Sequence, residues 1–71
     1  MFTKPESITM KLSGIQTERE RRDAVQVLRR QKGVRSATID AHAVASVTYR
    51  AEQTTVDTLT NALSEAGYTV I

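Results

Sequence analysis

Residues 8–20 read Ile8-Thr9-Met10-Lys11-Leu12-Ser13-Gly14-Ile15-Gln16-Thr17-Glu18-Arg19-Glu20, and their period changes in the middle. Up to Ser13, apolar Ile8, Met10 and Leu12 alternate with polar Thr9, Lys11 and Ser13, the period of two that marks a strand buried on one face. Gly14 ends the alternation. Thr17 to Glu20 then has the spacing of a capping box: the threonine hydroxyl can accept from the Glu20 amide while the Glu20 carboxylate reaches back to the Thr17 amide. Glu18 and Glu20 in the first turn also suit the positive end of the helix dipole. Strand, glycine and capped helix follow one another across a short loop.

Working outward, the helix is expected to run to Gln31 or Lys32, with Ala24, Val27, Leu28 and Gln31 on one face. Gly33 suits the left-handed position that stops a helix, and Arg29, Arg30 and Lys32 complement its negative end. Val34, Ala37, Ile39 and Ala41 predict a second strand, Asp40-Ala41-His42-Ala43 a hairpin turn, and Ala45, Val47 and Tyr49 a third strand. Thr55 caps a second helix with Val56, Leu59, Ala62, Leu63 and Ala66 on one face, ended by Gly67. Tyr68 and Val70 supply a last short strand. The order is βαββαβ. Its fold class is α+β, ferredoxin-like: a four-stranded antiparallel sheet with two helices on one face. Pro5 marks where order begins, so residues 1–6 read as a flexible N-terminal tail and residues 7–71 as one domain.

Seventy-one residues suffice for one small core. With 10 Lys and Arg against 8 Asp and Glu the net charge is +2, and much of the excess lies in the first helix. The absence of cysteine excludes disulfides and thiolate metal sites. No apolar run approaches the roughly 20 residues of a membrane span, and the start lacks the apolar stretch of a signal peptide. The expected location is therefore cytoplasmic, without direct membrane insertion. Catalysis has no support: there is no cysteine nucleophile and no phosphate-cradling glycine loop, so the chain reads as a non-enzyme. RNA-recognition domains share the βαββαβ order but stack bases on aromatics of the central strands. Here those exposed positions are Thr9, Lys11, Ser13, Ser46, Thr48 and Arg50, and no nucleic acid partner is expected.

Taken together, Gly14-Ile15, the buried helix positions Ala24 and Leu28, Gly33-Val34, Val47-Thr48-Tyr49 and Ala66-Gly67-Tyr68 resemble, in order and spacing, the heavy-metal-associated domain family. That family includes copper chaperones, mercury-binding proteins and N-terminal domains of metal-pumping P-type ATPases. The resemblance runs from Ile8 to Ile71. It implies a small binding module in metal transport or homeostasis. Family members carry a metal loop whose two cysteines, two residues apart, hold a soft ion; Thr17 and Glu20 occupy those places here. Threonine is a poor ligand for ions that thiolates select, so no cofactor is expected and the module is expected to act by protein contact. Its partner would be a metal transporter or the module's own downstream domains.

Two sets of site residues follow. The first is an interaction surface of Gln16, Thr17, Glu18, Arg19, Arg22 and Tyr68, because in the family partners meet near the metal loop and first helix. The basic residues of that helix suit an acidic partner, with Glu18–Arg22 and Arg19–Asp23 spaced for local pairing. The second is an alternative metal site in which Glu18, Glu20, Asp40 and His42 weakly bind zinc or another divalent ion through oxygen and imidazole. Both depend on the loop at residues 14–17, the turn near His42 and the turn at Gly67-Tyr68 gathering at one end of the sheet.

Overall fold

The computed structural model describes residues 5–71. Its elements are β1 (Glu6–Ser13), α1 (Glu18–Arg29), β2 (Val34–Ile39), β3 (Val44–Tyr49), α2 (Val56–Glu65) and β4 (Thr69–Val70). The sheet order is β2-β3-β1-β4 with every pairing antiparallel, which is the ferredoxin-like arrangement. β1 already includes Glu6, opposite Tyr49, so the sheet claims one residue of the segment read as a tail; residues 1–4 of that segment lie outside the described residues.

Alternation decides which face is covered. Met10 and Leu12 of β1, Ala37 and Ile39 of β2, and Ala45, Val47 and Tyr49 of β3 are buried beneath the helices. Ala24 and Leu28 of α1 and Leu59 and Leu63 of α2 close the core from above. Leu28, Leu59, Leu63 and Val47 are its largest fully buried side chains, and truncating one of the leucines to alanine removes about 2–5 kcal/mol.

Two boundaries and one buried face differ from the sequence reading. α1 stops at Arg29, short of Gln31, because the chain folds into turns: the Gln31 amide donates to the Leu28 carbonyl and the Val34 amide to the Gln31 carbonyl. Ala41 lies in the hairpin turn, not in β2. On α2, Val56 is 39% exposed and Ala66 is exposed, so the helix buries a narrower stripe than its apolar spacing suggests. The uneven step from Val34 to Ala37 also has a cause. A register shift between Val34 and Ser36 puts an extra residue, Arg35, into β2, and such a bulge resets which side chains face the core.

Candidate functional site

Antiparallel pairing brings the three loops together. The Leu12 amide donates to the Ala43 carbonyl at 2.9 Å, which sets the hairpin turn beside the end of β1. Ser13 lies opposite Thr69, which brings Tyr68 beside Gly14. The approach is close: a Cβ on Gly14 would lie 3.3 Å from the Gly67 carbonyl oxygen, and Gly14 has φ +95°. Tyr68 is aimed by the end of α2, where its amide donates back to the Leu63 carbonyl at 2.9 Å, the long bond of a Schellman motif.

The helix start is a capping box with one change. Thr17 Oγ1 accepts from the Glu20 amide at 3.1 Å. The Glu20 carboxylate accepts from the Gln16 amide at 3.1 Å and from the Thr17 hydroxyl at 3.2 Å. The return bond therefore reaches the amide of Gln16, one residue before the expected Thr17. Positions 17 and 20 still face each other across this loop.

A cavity of about 450 Å³ opens beside the loop, lined by Ile15, Gln16, Thr17, Glu18, Arg21, Asp40, Ala41 and Ala43. Arg21 organises it. Its guanidinium holds both Glu18 carboxylate oxygens, with Nε to Oε2 at 2.9 Å, and its Nη1 donates to the Ile39 carbonyl at 2.7 Å. This one side chain ties the first turn of α1 to the end of β2. Hydrogen bonding from Arg21 draws the Glu18 carboxyl below its ordinary range, and Glu18 in turn favours the charged form of Arg21. Arg22 adds a looser contact to Glu18 at 3.6 Å.

The four donors of the alternative metal reading do not form a ligand set. Asp40 Oδ1 accepts from the amides of His42 at 2.8 Å and Val44 at 3.0 Å, bonds that build the turn and lower the Asp40 pKa. Glu18 is committed to Arg21 and Glu20 to the helix cap. Among the described residues no group of three or more His, Cys, Asp or Glu converges on a point that could hold a metal ion. The physical reason is that each carboxylate is satisfied by its own local turn.

The expected interaction surface is assembled in part. Gln16, Thr17, Glu18, Arg19 and Arg22 are exposed at the loop and first turns of α1. Tyr68 differs: it is only 6% exposed, and its hydroxyl donates to Asp23 Oδ2 at 2.8 Å. That bond occupies the carboxylate expected to pair with Arg19. Burial, reinforced by the Asp23 carboxylate, pushes the Tyr68 hydroxyl up to about 12. Arg21 was in neither set of expected site residues, and Asp23 was expected only as a partner for Arg19. The i,i+3 spacing of Glu18 and Arg21 was an available signal; the Tyr68–Asp23 contact, 45 residues apart, had none.

No family model matches the chain, and no curated protein matches it. Solved structures do. A CopZ metallochaperone superposes with a TM-score of 0.88 at 21% identity, over 93% of this chain and 100% of the other. MerP from Ralstonia metallidurans CH34, in its oxidised form, gives 0.90 at 22%, over 94% of each chain. A protein described in terms of crosstalk between Cu(I) and Zn(II) homeostasis gives 0.86 at 28%, over 93% of this chain and 96% of the other. The soluble region of the P-type ATPase CopA from Bacillus subtilis gives 0.92 at 24%, over all of this chain and 48% of the other. The chain thus has the same ferredoxin-like fold as these proteins.

Proposed function

We propose that this chain is a non-catalytic binding module of the heavy-metal-associated type, working in metal transport or homeostasis through protein contact and without the usual thiolate site. The observation that carries the reading is the loop end of the sheet. A backbone shared in fold with metallochaperones and a P-type ATPase soluble region presents Thr17 and Glu20 facing each other at 3.2 Å, locked into the helix cap. The end of the domain is thereby finished as a rigid polar surface. Exposed Gln16, Thr17, Glu18, Arg19 and Arg22 surround it, and the excess of arginine favours an acidic partner, chiefly by speeding encounter.

The test is a titration of the isotope-labelled chain with the soluble domains of a metal-transporting P-type ATPase, read by amide shifts at low and high salt. Saturable shifts confined to residues 14–22 are expected, weakened by salt and by Arg19→Glu with Arg22→Glu. Shifts that survive the double charge reversal unchanged, or no shifts at all, overturn the proposal.

A further inference from the structure

β2 is an edge strand, with β3 on one side and no strand on the other among the described residues. The hairpin fixes which of its backbone groups face outward. The Asp40 amide donates to the Val44 carbonyl at 3.1 Å, so these two form a hydrogen-bonded pair. In an antiparallel ladder such pairs alternate with pairs whose backbone groups turn away. With Ile39 opposite Ala45, Thr38 opposite Ser46 and Ala37 opposite Val47, the amides and carbonyls of Ala37 and Ile39 point to the open edge. An independent contact agrees: the Ile39 carbonyl accepts from Arg21 of α1, which only an outward carbonyl could do. The Ala37 amide and carbonyl and the Ile39 amide are left for an incoming strand.

A groove of about 290 Å³ runs along this edge on the helix side, lined by Arg21, Arg22, Val25, Gln26, Ala37, Thr38 and Ile39. A strand added to β2 would send alternate side chains into it. Its floor is apolar, from Val25, Ala37 and Ile39, and its rim is cationic. Arg22 has 79% of its side chain exposed. Arg29 lies two turns along the same helix face as Arg22, and the bulge leaves Arg35 exposed on β2 itself. A second copy of this chain is a poor occupant, because an edge-to-edge pair would set the two groups of arginines against each other.

We propose that the β2 edge accepts an acidic, extended polypeptide segment as a fifth strand. Main-chain bonds to Ala37 and Ile39 would hold the segment, apolar side chains would fill the groove over Val25, and acidic ones would meet Arg22, Arg29 and Arg35. This is the strand-addition mode of recognition, in which backbone bonds give affinity and alternate side chains give specificity. The surface shares Arg22 with the loop-end contact surface but is centred on β2, away from residues 14–17, and the inference does not rest on the metal-transport reading.

The test uses the full chain and a capped seven-residue peptide of alternating glutamate and valine, with a lysine–valine peptide as control. The acidic peptide is expected to give saturable amide shifts centred on residues 35–39 and on 22–29, with slowed exchange of the Ala37 and Ile39 amides. Arg29→Glu with Arg35→Glu, both exposed and remote from the loop, should weaken binding by at least about tenfold. Ala37→Pro removes the outward amide without touching the bonds to β3 and should abolish binding. If that variant fails to fold, the double charge reversal still decides. Equal binding of the lysine peptide, shifts confined to residues 14–20, retention of affinity in the double variant, or concentration-dependent self-association through β2 would each overturn the inference.

Discussion

The hydroxyl of Tyr68 donates to the carboxylate of Asp23 at 2.8 Å, joining the turn after α2 to the middle of α1. The bond closes the loop end of the domain from beneath: it fixes a buried ring against the helix whose first turn carries the exposed arginines. Removing the hydroxyl as Tyr68→Phe is expected to cost about 1–2 kcal/mol, since a hydrogen bond to a charged group is lost while Asp23 regains water. Denaturant melts of the two proteins check it.

The same pair predicts an alkaline limb. The folded-state pKa of Tyr68 is raised from 10.0 to about 12, first by burial and then by Asp23. A group whose pKa is raised on folding contributes stability that is complete below its unfolded pKa and lost as pH rises through the folded value. The stability difference between the parent and Tyr68→Phe should therefore be constant from neutral pH to about pH 9 and shrink between about 10 and 12. A difference that does not change across that window contradicts the assignment.

Asp40 predicts the opposite limb. Its pKa is lowered from 3.8 by the backbone bonds from Val44 and His42. A depressed carboxylate contributes stability that is present above its unfolded pKa and lost as pH falls through the folded one. Asp40→Ala should lower the melting temperature at neutral pH, whereas Asp40→Asn, which keeps an acceptor oxygen, should lower it less. In strong acid Asp40→Asn should converge on the parent, whereas Asp40→Ala, which has no acceptor, should keep a smaller deficit, as thermal melts across pH will show.

Ala43 has φ +62°, the only non-glycine residue with positive φ among those described. It closes a hairpin in which its amide donates to the Asp40 carbonyl at 3.1 Å. A left-handed alanine costs about 1–2 kcal/mol, and the entropy of the added glycine takes back about 0.5–1 kcal/mol, so Ala43→Gly should stabilise the fold by about 0.5 kcal/mol. Gly33 is the converse case. It has φ +91°, and a Cβ there would lie 2.7 Å from Gln53 Cβ. Gly33→Ala should cost at least about 2 kcal/mol, from backbone strain and a clash that backbone must relieve. Denaturation curves of the two variants should move in opposite directions.

Much of this architecture was legible in the chain because short-range chemistry controls it. The alternation of Ile8 to Ser13, the cap at Thr17 and Glu20, and Gly67 at the end of α2 each act over a few residues, and their order leaves few ways to bury two apolar helix faces and one sheet face; Gly33 is left-handed as expected but sits in the turns beyond α1, three residues past its cap. The sequence was weaker wherever a contact spans the fold. It grouped Tyr68 with the interaction surface and gave no sign of its buried hydrogen bond, because nothing local signals that Asp23 lies within reach of its hydroxyl. Of Glu18, Glu20, Asp40 and His42, the fold brings Glu18 and Asp40 to one cavity, but proximity of loops does not orient side chains, and local turns had already used the carboxylates. The bulge at Arg35 was visible only as a broken alternation, and the open backbone of β2 only once the order of strands was known.

The proposed function requires that a loop end with the same fold as the metallochaperones hold no metal through Thr17 and Glu20. The most direct measurement is a parallel titration of the parent chain and of Thr17→Cys with Glu20→Cys, using Cu(I) and Zn(II) and read by amide shifts. The two positions face each other at 3.2 Å, so the account predicts a silent parent and a variant that saturates with shifts at residues 14–20, despite losing about 1 kcal/mol of helix cap. Saturable shifts in the parent at residues 14–20, Asp40 and His42 would contradict it.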